Sequence, residues 1–383
     1  MFVVGWGANQ FTPMLLAYRD ELGMSTQTRA FLFGVYAAGL VPALLAGGAA
    51  SDRWGRRTLV VPAVVLSPVA SLLLMVESHS TLGLCAARLL AGVCSGVVFS
   101  AASAWVAELS VHEAPGTAAR RAAIALSAGF GVGPLVTGLV AQWSPAPLVL
   151  PYLPHVVIGV LAIILVRVVP ETLVDPGPRE TRRPLLSLPA VTRGRRFLLV
   201  VAPAAPWVFG CAAISIAFLP SAIGGHGPGE LAFAGILAGL TLGTGVVIQG
   251  VARRLDDHRP LLAGDAGLVL AAAGCLIGVA TIAVDVRWML LAAGPVLGAG
   301  YGMILVSGLR ETERIAAPDE RGATIAVFYA LTYLGFAAPY VLGAFGGGAA
   351  ALAGAAGLAI VCLAVVTAGR RERPPSPAAG SCS

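Results

Sequence analysis

The sequence predicts an all-α membrane protein with twelve transmembrane helices in two six-helix bundles. The first observation behind this prediction is composition: the 383 residues are 57% hydrophobic and only 11% charged, far more apolar than a water-soluble domain. The second is segmentation, because the apolar residues form runs of about 20, the length that crosses a hydrocarbon core as a helix. The loops between the runs are short, so roughly twelve of them fit in one chain.

Twelve apolar spans can be drawn, six before and six after one polar stretch. They cover residues 2–18, 29–50, 58–76, 81–107, 118–141, 150–169, 197–219, 231–251, 261–283, 289–309, 322–343 and 349–368. The polar stretch is rich in arginine and proline and is the longest non-apolar segment. We therefore expect an N-terminal six-helix bundle over 1–169, a cytoplasmic basic linker over 170–196, a C-terminal six-helix bundle over 197–369 and a cytoplasmic tail over 370–383.

The basic residues are all arginines, and they gather in alternate loops. One set of loops carries Arg53, Arg56, Arg57, Arg120, Arg121, Arg253, Arg254, Arg259, Arg310, Arg314 and Arg321. The opposite loops carry only Arg19, Arg29 and Arg287. Because basic residues concentrate on the cytoplasmic side, we expect a multi-pass protein of the cell membrane with both termini in the cytoplasm. The same grouping argues against nucleic-acid binding, which uses a solvated basic face with interleaved aromatic residues.

The loop between the second and third spans carries the most informative motif. It reads Gly-Ala-Ala-Ser-Asp-Arg-Trp-Gly-Arg-Arg from Gly48 to Arg57. This loop resembles the signature loop of the major facilitator superfamily, in which a glycine is followed by an aspartate, a basic residue, a second glycine and two more basic residues. The matching residues are Gly48, Asp52, Arg53, Gly55, Arg56 and Arg57. The resemblance covers essentially the whole chain and implies a transporter that works by alternating access.

A charge network is expected around this loop. Asp52 can face the positive end of a neighbouring helix, while the arginines meet nearby carboxylates and hold one face of the bundle closed. In the family a carboxylate at the end of helix four commonly joins this cluster. We therefore expect Asp52, Arg53, Glu108 and Arg121 to form one cytoplasmic network. The alternatives are ordinary solvated loop charges and, for the last two arginines of the motif, a signal of topology alone.

Span four begins with a charged residue, Arg88, which is followed by Gly92 and Gly96. This pattern is similar to a second family motif, an intramembrane arginine followed by glycines at one-turn spacing. A charge inside a span is expensive and marks a functional candidate, so Arg88 is a candidate for proton coupling. The alternative is that its long side chain snorkels to the outer interface.

Span five carries a glycine ladder that ends in Gly-Pro. It is similar to the motif of the exporting, proton-antiporting branches of the superfamily, and its defining residues here are Gly129, Gly133, Pro134 and Gly138. A proline inside a helix frees a carbonyl and bends the axis, and glycines let the bend pack closely. The alternative is a purely structural kink. Rows of glycine at four-residue spacing near 235–243 and 294–302 likewise predict close helix packing.

Polar and aromatic residues could line a mid-membrane cavity between the two bundles. They are Asn9, Gln10, Trp207, Gln249, Phe328, Tyr329 and Tyr333. Static packing is the alternative for each aromatic residue. Many proton-coupled exporters of the family have an acidic residue at the centre of span one, and this chain has none there. Asp265, the only carboxylate clearly inside a span, is the second candidate for proton coupling.

The sequence predicts a transporter rather than an enzyme. It contains no HExxH motif, no Gly-x-Ser-x-Gly motif and no spaced metal cluster, and without lysine it cannot complete an ATP-binding P-loop. The resemblance of span five to the exporting branches implies proton-coupled efflux. Because the cavity candidates are mostly uncharged and aromatic, we expect the substrate to be a lipophilic drug-like compound or metabolite. The alternative is import or facilitated diffusion of a sugar, organic acid or other small metabolite. We expect a monomer whose partners are a small-molecule substrate, protons and membrane lipid, with no cofactor, metal or nucleic acid.

Overall fold

The computed structural model describes residues 1–113, 117–172, 189–223, 229–317 and 320–371, and every regular element in these ranges is helical. The α-helices are α1 (Phe2–Asn9), α2 (Phe11–Leu22), α3 (Thr26–Trp54), α4 (Arg56–Val76), α5 (Thr81–Val97), α6 (Ser103–Leu109), α7 (Thr117–Trp143), α8 (Leu153–Val166), α9 (Ala205–Ala213), α10 (Leu219–Ala222), α11 (Glu230–Val247), α12 (Gln249–His258), α13 (Leu262–Val284), α14 (Leu290–Ile315), α15 (Arg321–Tyr333), α16 (Ala338–Ala344) and α17 (Ala349–Arg371). The π-helical segments Val98–Ala102 and Ile214–Phe218 join α5 to α6 and α9 to α10, and a third, Phe197–Val201, precedes α9 with a turn at 202–204 between them. Most of the predicted linker and tail lies outside the described residues.

Ten helical stretches in the described part of the chain are long and apolar enough to cross a membrane. They are Thr26–Trp54, Arg56–Val76, Thr81–Leu109, Ile124–Trp143, Phe197–Ala222, Glu230–His258, Leu262–Val284, Arg287–Ile315, Arg321–Ala344 and Ala349–Arg370. Each corresponds to one of the predicted spans. The predicted spans 2–18 and 150–169 are the two that this length criterion does not include.

Both of these spans differ from the prediction for a local reason. The first is broken at Gln10, between α1 and α2. Pro13 explains the break, because a proline has no N–H to donate to the carbonyl four residues earlier, that of Asn9. The other span is a shorter apolar helix over Leu150–Val166 that starts with a 3₁₀ turn containing Pro151.

The helices run between two ends of the molecule, which we name the linker side and the far side. The linker side carries the α3–α4 junction at Gly55 and the end of α8 that leads into the linker. The far side carries the α2–α3 turn at Gly23 and the start of α11 at Glu230. We call residues 1–172 the first half of the chain and residues 189–371 the second half.

Glycines bring helix backbones into close contact at several crossings. In the second half, Gly298 of α14 faces the backbone of Thr241 in α11 so closely that a methyl group there would collide with the carbonyl oxygen. In the first half, Gly92 of α5 lies in the same way against the carbonyl of Tyr36 in α3. Close backbone approach of this kind provides the van der Waals contact that holds membrane helices together.

Candidate functional site

The signature loop is a tight junction between two long helices, and Gly55 forms it. This residue has φ +101° and ψ 146°, a backbone conformation that other residues rarely adopt. Glu171, just after α8, places its carboxylate at the start of α4, where it accepts the backbone N–H groups of Arg56 at 3.0 Å and Arg57 at 2.9 Å. The carboxylate thus satisfies free donors at the positive end of the α4 dipole.

Arg56 is the centre of the charge cluster beside this junction. Its guanidinium lies 2.5 Å from Asp52 Oδ1 and 2.8 Å from Glu108 Oε1, and it also donates to the hydroxyl of Ser51. The Thr172 hydroxyl donates to the second oxygen of Glu108. The end of α3, the start of α4 and the end of α6 are therefore joined by one arginine.

Two members of the expected network lie elsewhere. The Arg53 guanidinium packs on the ring of Trp54, 5.3 Å from its centroid, and Arg121 pairs with Glu113 at 2.7 Å. The prediction that Arg53 and Arg121 join Asp52 and Glu108 is corrected here. The reason is geometric: Asp52 and Arg56 are four residues apart across the junction, so Arg56 reaches both carboxylates.

The second half has a corresponding junction between α12 and α13, with different residues. Leu261 takes the positive φ there, +69°, and Asp256 accepts the backbone N–H of Ala263 at 2.8 Å, as Glu171 does for α4. Asp257 pairs with Arg310 of α14 at 2.6 Å. This second junction therefore also has a capping carboxylate and an interhelical ion pair.

Asp265 does not lie at the centre of a helix. It is in the first turn of α13, at the linker side, and Arg370 of α17 donates to both of its carboxylate oxygens at 2.5 and 2.6 Å. A similar pairing surrounds Glu311, which is 3% exposed and contacts Arg196 and Arg314, each at 2.6 Å. The expectation of a carboxylate well inside a span is therefore corrected, since Asp265 joins two helix ends.

Arg88 points into the protein and does not snorkel. Its side chain is 1% exposed, and the guanidinium lies between the rings of Phe11 and Tyr36, 4.7 Å from each centroid. Its N–H groups donate to the backbone carbonyls of Ala8, Leu32 and Phe33 at 3.2–3.3 Å. Within the described residues it forms no ion pair, so the first half holds a buried cation among neutral acceptors and aromatic faces.

A chain of buried polar side chains crosses the break between α1 and α2. Gln10 donates to the Ser71 hydroxyl at 2.6 Å, and Ser71 lies 2.8 Å from His155 Nδ1. The other ring nitrogen of His155 lies 3.0 Å from the carbonyl of Val3, which can only accept. His155 therefore carries its proton on Nε2 and accepts from Ser71 at Nδ1. Asn9 is buried at the same break.

Helix α7 presents its glycine motif to two different neighbours. Gly129 and Gly133 face the backbone of α1, where an added methyl at Gly133 would come within 2.7 Å of the Trp6 carbonyl. Gly138 faces α11, where a methyl would come within 2.9 Å of Gly235 Cα. Helix α7 continues through Pro134 without interruption. The motif thus forms one contact surface within the first half, against α1, and a second that joins the two halves, against α11.

Six aromatic rings form a row that crosses from the first half to the second. Phe336 lies at its centre, with ring centroids 5.1 to 5.8 Å from those of Phe33, Tyr36, Phe209 and Tyr333. Tyr301 stacks on Phe209 at 5.8 Å. Of the predicted cavity residues, Tyr333 belongs to this row. Trp207 and Phe328 are buried, Tyr329 packs against Phe328, and Gln249 is half-buried at the start of α12.

On the far side, polar contacts join the two halves. Arg19 at the end of α2 pairs with Glu230 at the start of α11 at 2.8 Å. Gln142 at the end of α7 accepts the backbone N–H groups of Leu231 and Ala232 at 3.1 and 3.3 Å. Arg29 of α3 donates to the Ser221 hydroxyl at 3.3 Å. These contacts close the far side around α11.

No group of three His, Cys, Asp or Glu side chains suitable for a metal occurs in the described part of the chain.

Comparison with known proteins assigns the chain to a family. Residues 1–286 match the sequence profile of the Major Facilitator Superfamily. The chain belongs to this superfamily. With ten described helices able to cross a membrane, this superfamily member is a multi-pass membrane protein.

Two curated relatives match part of the chain. An uncharacterized MFS-type transporter of Methanocaldococcus jannaschii is 25% identical over 141 residues, which is 37% of this chain and 36% of that protein. Multidrug resistance protein 2 of Bacillus subtilis is 22% identical over 144 residues, 38% of this chain and 36% of that protein. The matched region thus spans little more than a third of either relative.

Two solved structures are similar over nearly the whole chain. A mutant of the nucleoside transporter NupG superposes with a TM-score of 0.72 at 13% identity, covering 96% of each chain. A bacterial homolog of the human lysosomal transporter Spinster, inward-facing and occupied, gives 0.69 at 14% identity, covering 98% of this chain and 97% of that one. At these identities the likeness shows the fold alone.

Several residues that take part in these contacts were not predicted from the sequence of this superfamily member. Glu171 lies in the segment that was assigned to the linker, although a carboxylate directly after a span is a usable signal for a helix cap. Glu230, the first residue of α11, is a similar case. The partners of Glu311 and Asp265 could not be found, because Arg196 and Arg370 are more than 100 positions away in the sequence.

Proposed function

We propose that this protein is a secondary transporter that works by alternating access and exports a lipophilic drug-like compound or metabolite in exchange for protons. Superfamily membership supports transport rather than enzymatic catalysis. The proposal includes twelve spans in two six-helix bundles, counting the broken first span and the short sixth. It also includes cytoplasmic termini, because the linker side carries the arginine-rich loops.

The observation that carries the proposal is the different role of polar contacts at the two ends. On the far side they join the halves, through Arg19 with Glu230 and through Gln142 at the start of α11. On the linker side, Arg56 and Arg310 each pair with carboxylates of their own half. A molecule that is fastened at one end by contacts between halves can open at the other end, which alternating access requires.

Export is supported by the position of the glycine motif. Helix α7 is packed on α1 with one set of glycines and on α11 with another, directly beneath the far-side contacts. The motif resembles that of exporting branches, and one relative is named a multidrug resistance protein. A closed far side backed by this tight surface would limit return of the substrate after release.

Facilitated diffusion or import of a small metabolite is the second candidate. One observation favours it: every carboxylate that the structure describes lies in a loop or within two turns of a helix end. A proton-coupled carrier usually keeps an ionisable group within the membrane, and such groups are proton relays in many transporters. Arg88 lies two turns inside α5, and His155, although in the first turn of α8, is fully buried.

The test is transport in liposomes that contain the purified protein and an internal pH-sensitive dye. A proton gradient is imposed, and neutral, cationic and anionic drug-like compounds are added one at a time. We expect at least one compound to cause proton movement that protein-free liposomes do not show. Substrate movement without proton movement would favour the facilitator, and no movement of any compound by folded protein would contradict the transport proposal.

Two arginines of the same loop provide a matched pair of variants. Arg56→Gln removes the link between Asp52 and Glu108, and we expect the transport rate to fall on the order of tenfold, since both carboxylates lose a charge-assisted bond to Arg56. Arg53→Gln removes an exposed side chain that packs on Trp54 and is not part of the Asp52–Arg56–Glu108 cluster, so transport should stay close to the wild-type rate. Equal losses in both variants would show that net loop charge matters and the cluster does not.

A further inference from the structure

The interior of the first half has an uncompensated positive charge. Arg88 is buried two turns inside the far end of α5, and no carboxylate of the described residues contacts it. Carbonyl oxygens and aromatic faces offset part of the cost of burying a cation, but they carry no net charge. A buried arginine without a counter-ion inside a membrane is costly and is therefore a site where an anion would be stabilised.

The guanidinium keeps unused hydrogen-bonding capacity. It has five N–H donors, and the structure shows three bonds, to the carbonyls of Ala8, Leu32 and Phe33. A second donor lies nearby in Thr12, whose buried hydroxyl has no hydrogen-bond partner. A helical threonine often donates to the carbonyl four residues earlier, which here is that of Ala8, the carbonyl to which Arg88 donates at 3.2 Å.

The aromatic row begins at this same arginine. Tyr36 lies against the guanidinium on one side and against Phe336 of the second half on the other, with a centroid distance of 5.8 Å. Phe336 continues to Phe209 at 5.3 Å. A substrate with an aromatic ring could insert between Tyr36 and Phe336 and so touch both halves. An acidic substituent on that ring would then meet Arg88.

We propose that the substrates of this transporter are aromatic organic anions, such as aryl carboxylates, whose acidic group is bound by Arg88 and whose ring is bound by Tyr36 and Phe336. The inference rests on the proposed transport function and names its substrate class. It excludes lipophilic cations, because a cation at this site would be repelled by an arginine that has no carboxylate to neutralise it.

Three naphthalene compounds that share one ring system test this assignment. They are 2-naphthoate, 2-naphthalenemethanol and 2-naphthylmethylammonium. Binding to protein in nanodiscs is measured by equilibrium dialysis with naphthalene fluorescence, and empty nanodiscs correct for partition into lipid. A charge-assisted hydrogen bond contributes about 1.5–3 kcal/mol, so we expect the carboxylate to bind about 10- to 100-fold more tightly than the alcohol, and the ammonium to bind most weakly.

Variants separate the charge from the rings. Arg88→Gln should remove the preference for the carboxylate, while Arg88→Lys should keep part of it. Arg287→Gln is the control, because Arg287 also lies on aromatic rings, those of Phe233 and Trp288, but at the far-side edge. If Arg88→Gln fails to give folded protein, Tyr36→Leu replaces it, and it should weaken the carboxylate and the alcohol by a similar factor.

The outcomes distinguish this inference from the transport proposal. Equal binding of the three compounds by the wild type, tighter binding of the ammonium, or an unchanged preference in folded Arg88→Gln would overturn the anion site. If instead 2-naphthoate binds through Arg88 but no liposome assay shows its movement, the site stands and the transport proposal fails. Transport of neutral or cationic compounds alone would keep the transport proposal and end this one.

Discussion

Two glycines of one sequence motif have different physical roles. Gly55 has a positive φ, and its missing side chain leaves room for Glu171, whose Oε2 would lie 2.5 Å from an added methyl group. Gly48 lies inside α3 with open space around it. Both glycines are part of the sequence motif. Of the two, Gly55 is the one whose positive φ requires a glycine, whereas Gly48 has an ordinary helical conformation.

A pair of alanine substitutions tests this difference. We expect Gly55→Ala to lower the free energy of unfolding by about 2 kcal/mol, because a strained backbone conformation costs on the order of 1–3 kcal/mol for residues other than glycine. Gly48→Ala should change stability by less than about 1 kcal/mol, in the stabilising direction, since alanine favours a helix. Thermal unfolding in detergent measures both. A similar loss in both variants would show that Gly48 has a packing role that the structure does not contain.

At the scale of the element, α7 combines two contact surfaces in one helix. Its glycines at 129 and 133 meet the backbone of α1, and Gly138 meets α11 of the other half. Such surfaces can serve as static packing or as faces that slide between conformations, and the same contacts support both interpretations. Gly131, from the same ladder, has open space where a side chain would extend.

The ladder therefore contains its own control. Gly129→Ala places a methyl group against the carbonyl of Phe2 and the N–H of Trp6, so α1 must move away, at a cost of about 1–3 kcal/mol. Gly131→Ala meets no atom and should be close to neutral. Unfolding temperature and transport rate are measured for both. If Gly131→Ala is the more damaging of the two, its role lies in a conformation other than the one described.

At the scale of the whole molecule, the far-side contacts set which end is closed. Arg19 is a bridge between Glu230, in the other half, and Asp20, its own neighbour at 2.7 Å. Of these two contacts of Arg19, the one with Glu230 joins the two halves and the one with Asp20 does not. The carboxylates of Glu230 and Asp20 therefore differ in what their removal should do to the equilibrium between conformations.

Neutralising each carboxylate tests the closure. Glu230→Gln should shift the population toward a far-side-open state by about fivefold, since a partly exposed ion pair contributes about 1 kcal/mol. Asp20→Asn should have little effect. Spin labels on Glu21→Cys and Ala350→Cys, in a background without the native cysteines, report the far-side distance by double electron–electron resonance. An unchanged distance distribution in Glu230→Gln would show that this pair does not hold the far side closed.

The superfamily and the helical class could be predicted from the sequence, because both depend on local signals. A run of about 20 apolar residues is a helix in a membrane whatever its neighbours are, and ten of the predicted spans meet that length criterion. The signature loop is also local, with its glycines and charges within ten positions of each other. The twelve-span count and the two-bundle arrangement stay predictions.

Only the tertiary structure decided which charges meet. Arg56 rather than Arg53 joins Asp52 to Glu108, and Asp265 lies at a helix end with Arg370. The orientation of Arg88 toward Phe11 and Tyr36 was likewise not available from its position in a span. The physical reason is that hydropathy reports the medium around a helix, whereas ion pairs and stacked rings depend on helix rotation and on partners far away in the chain.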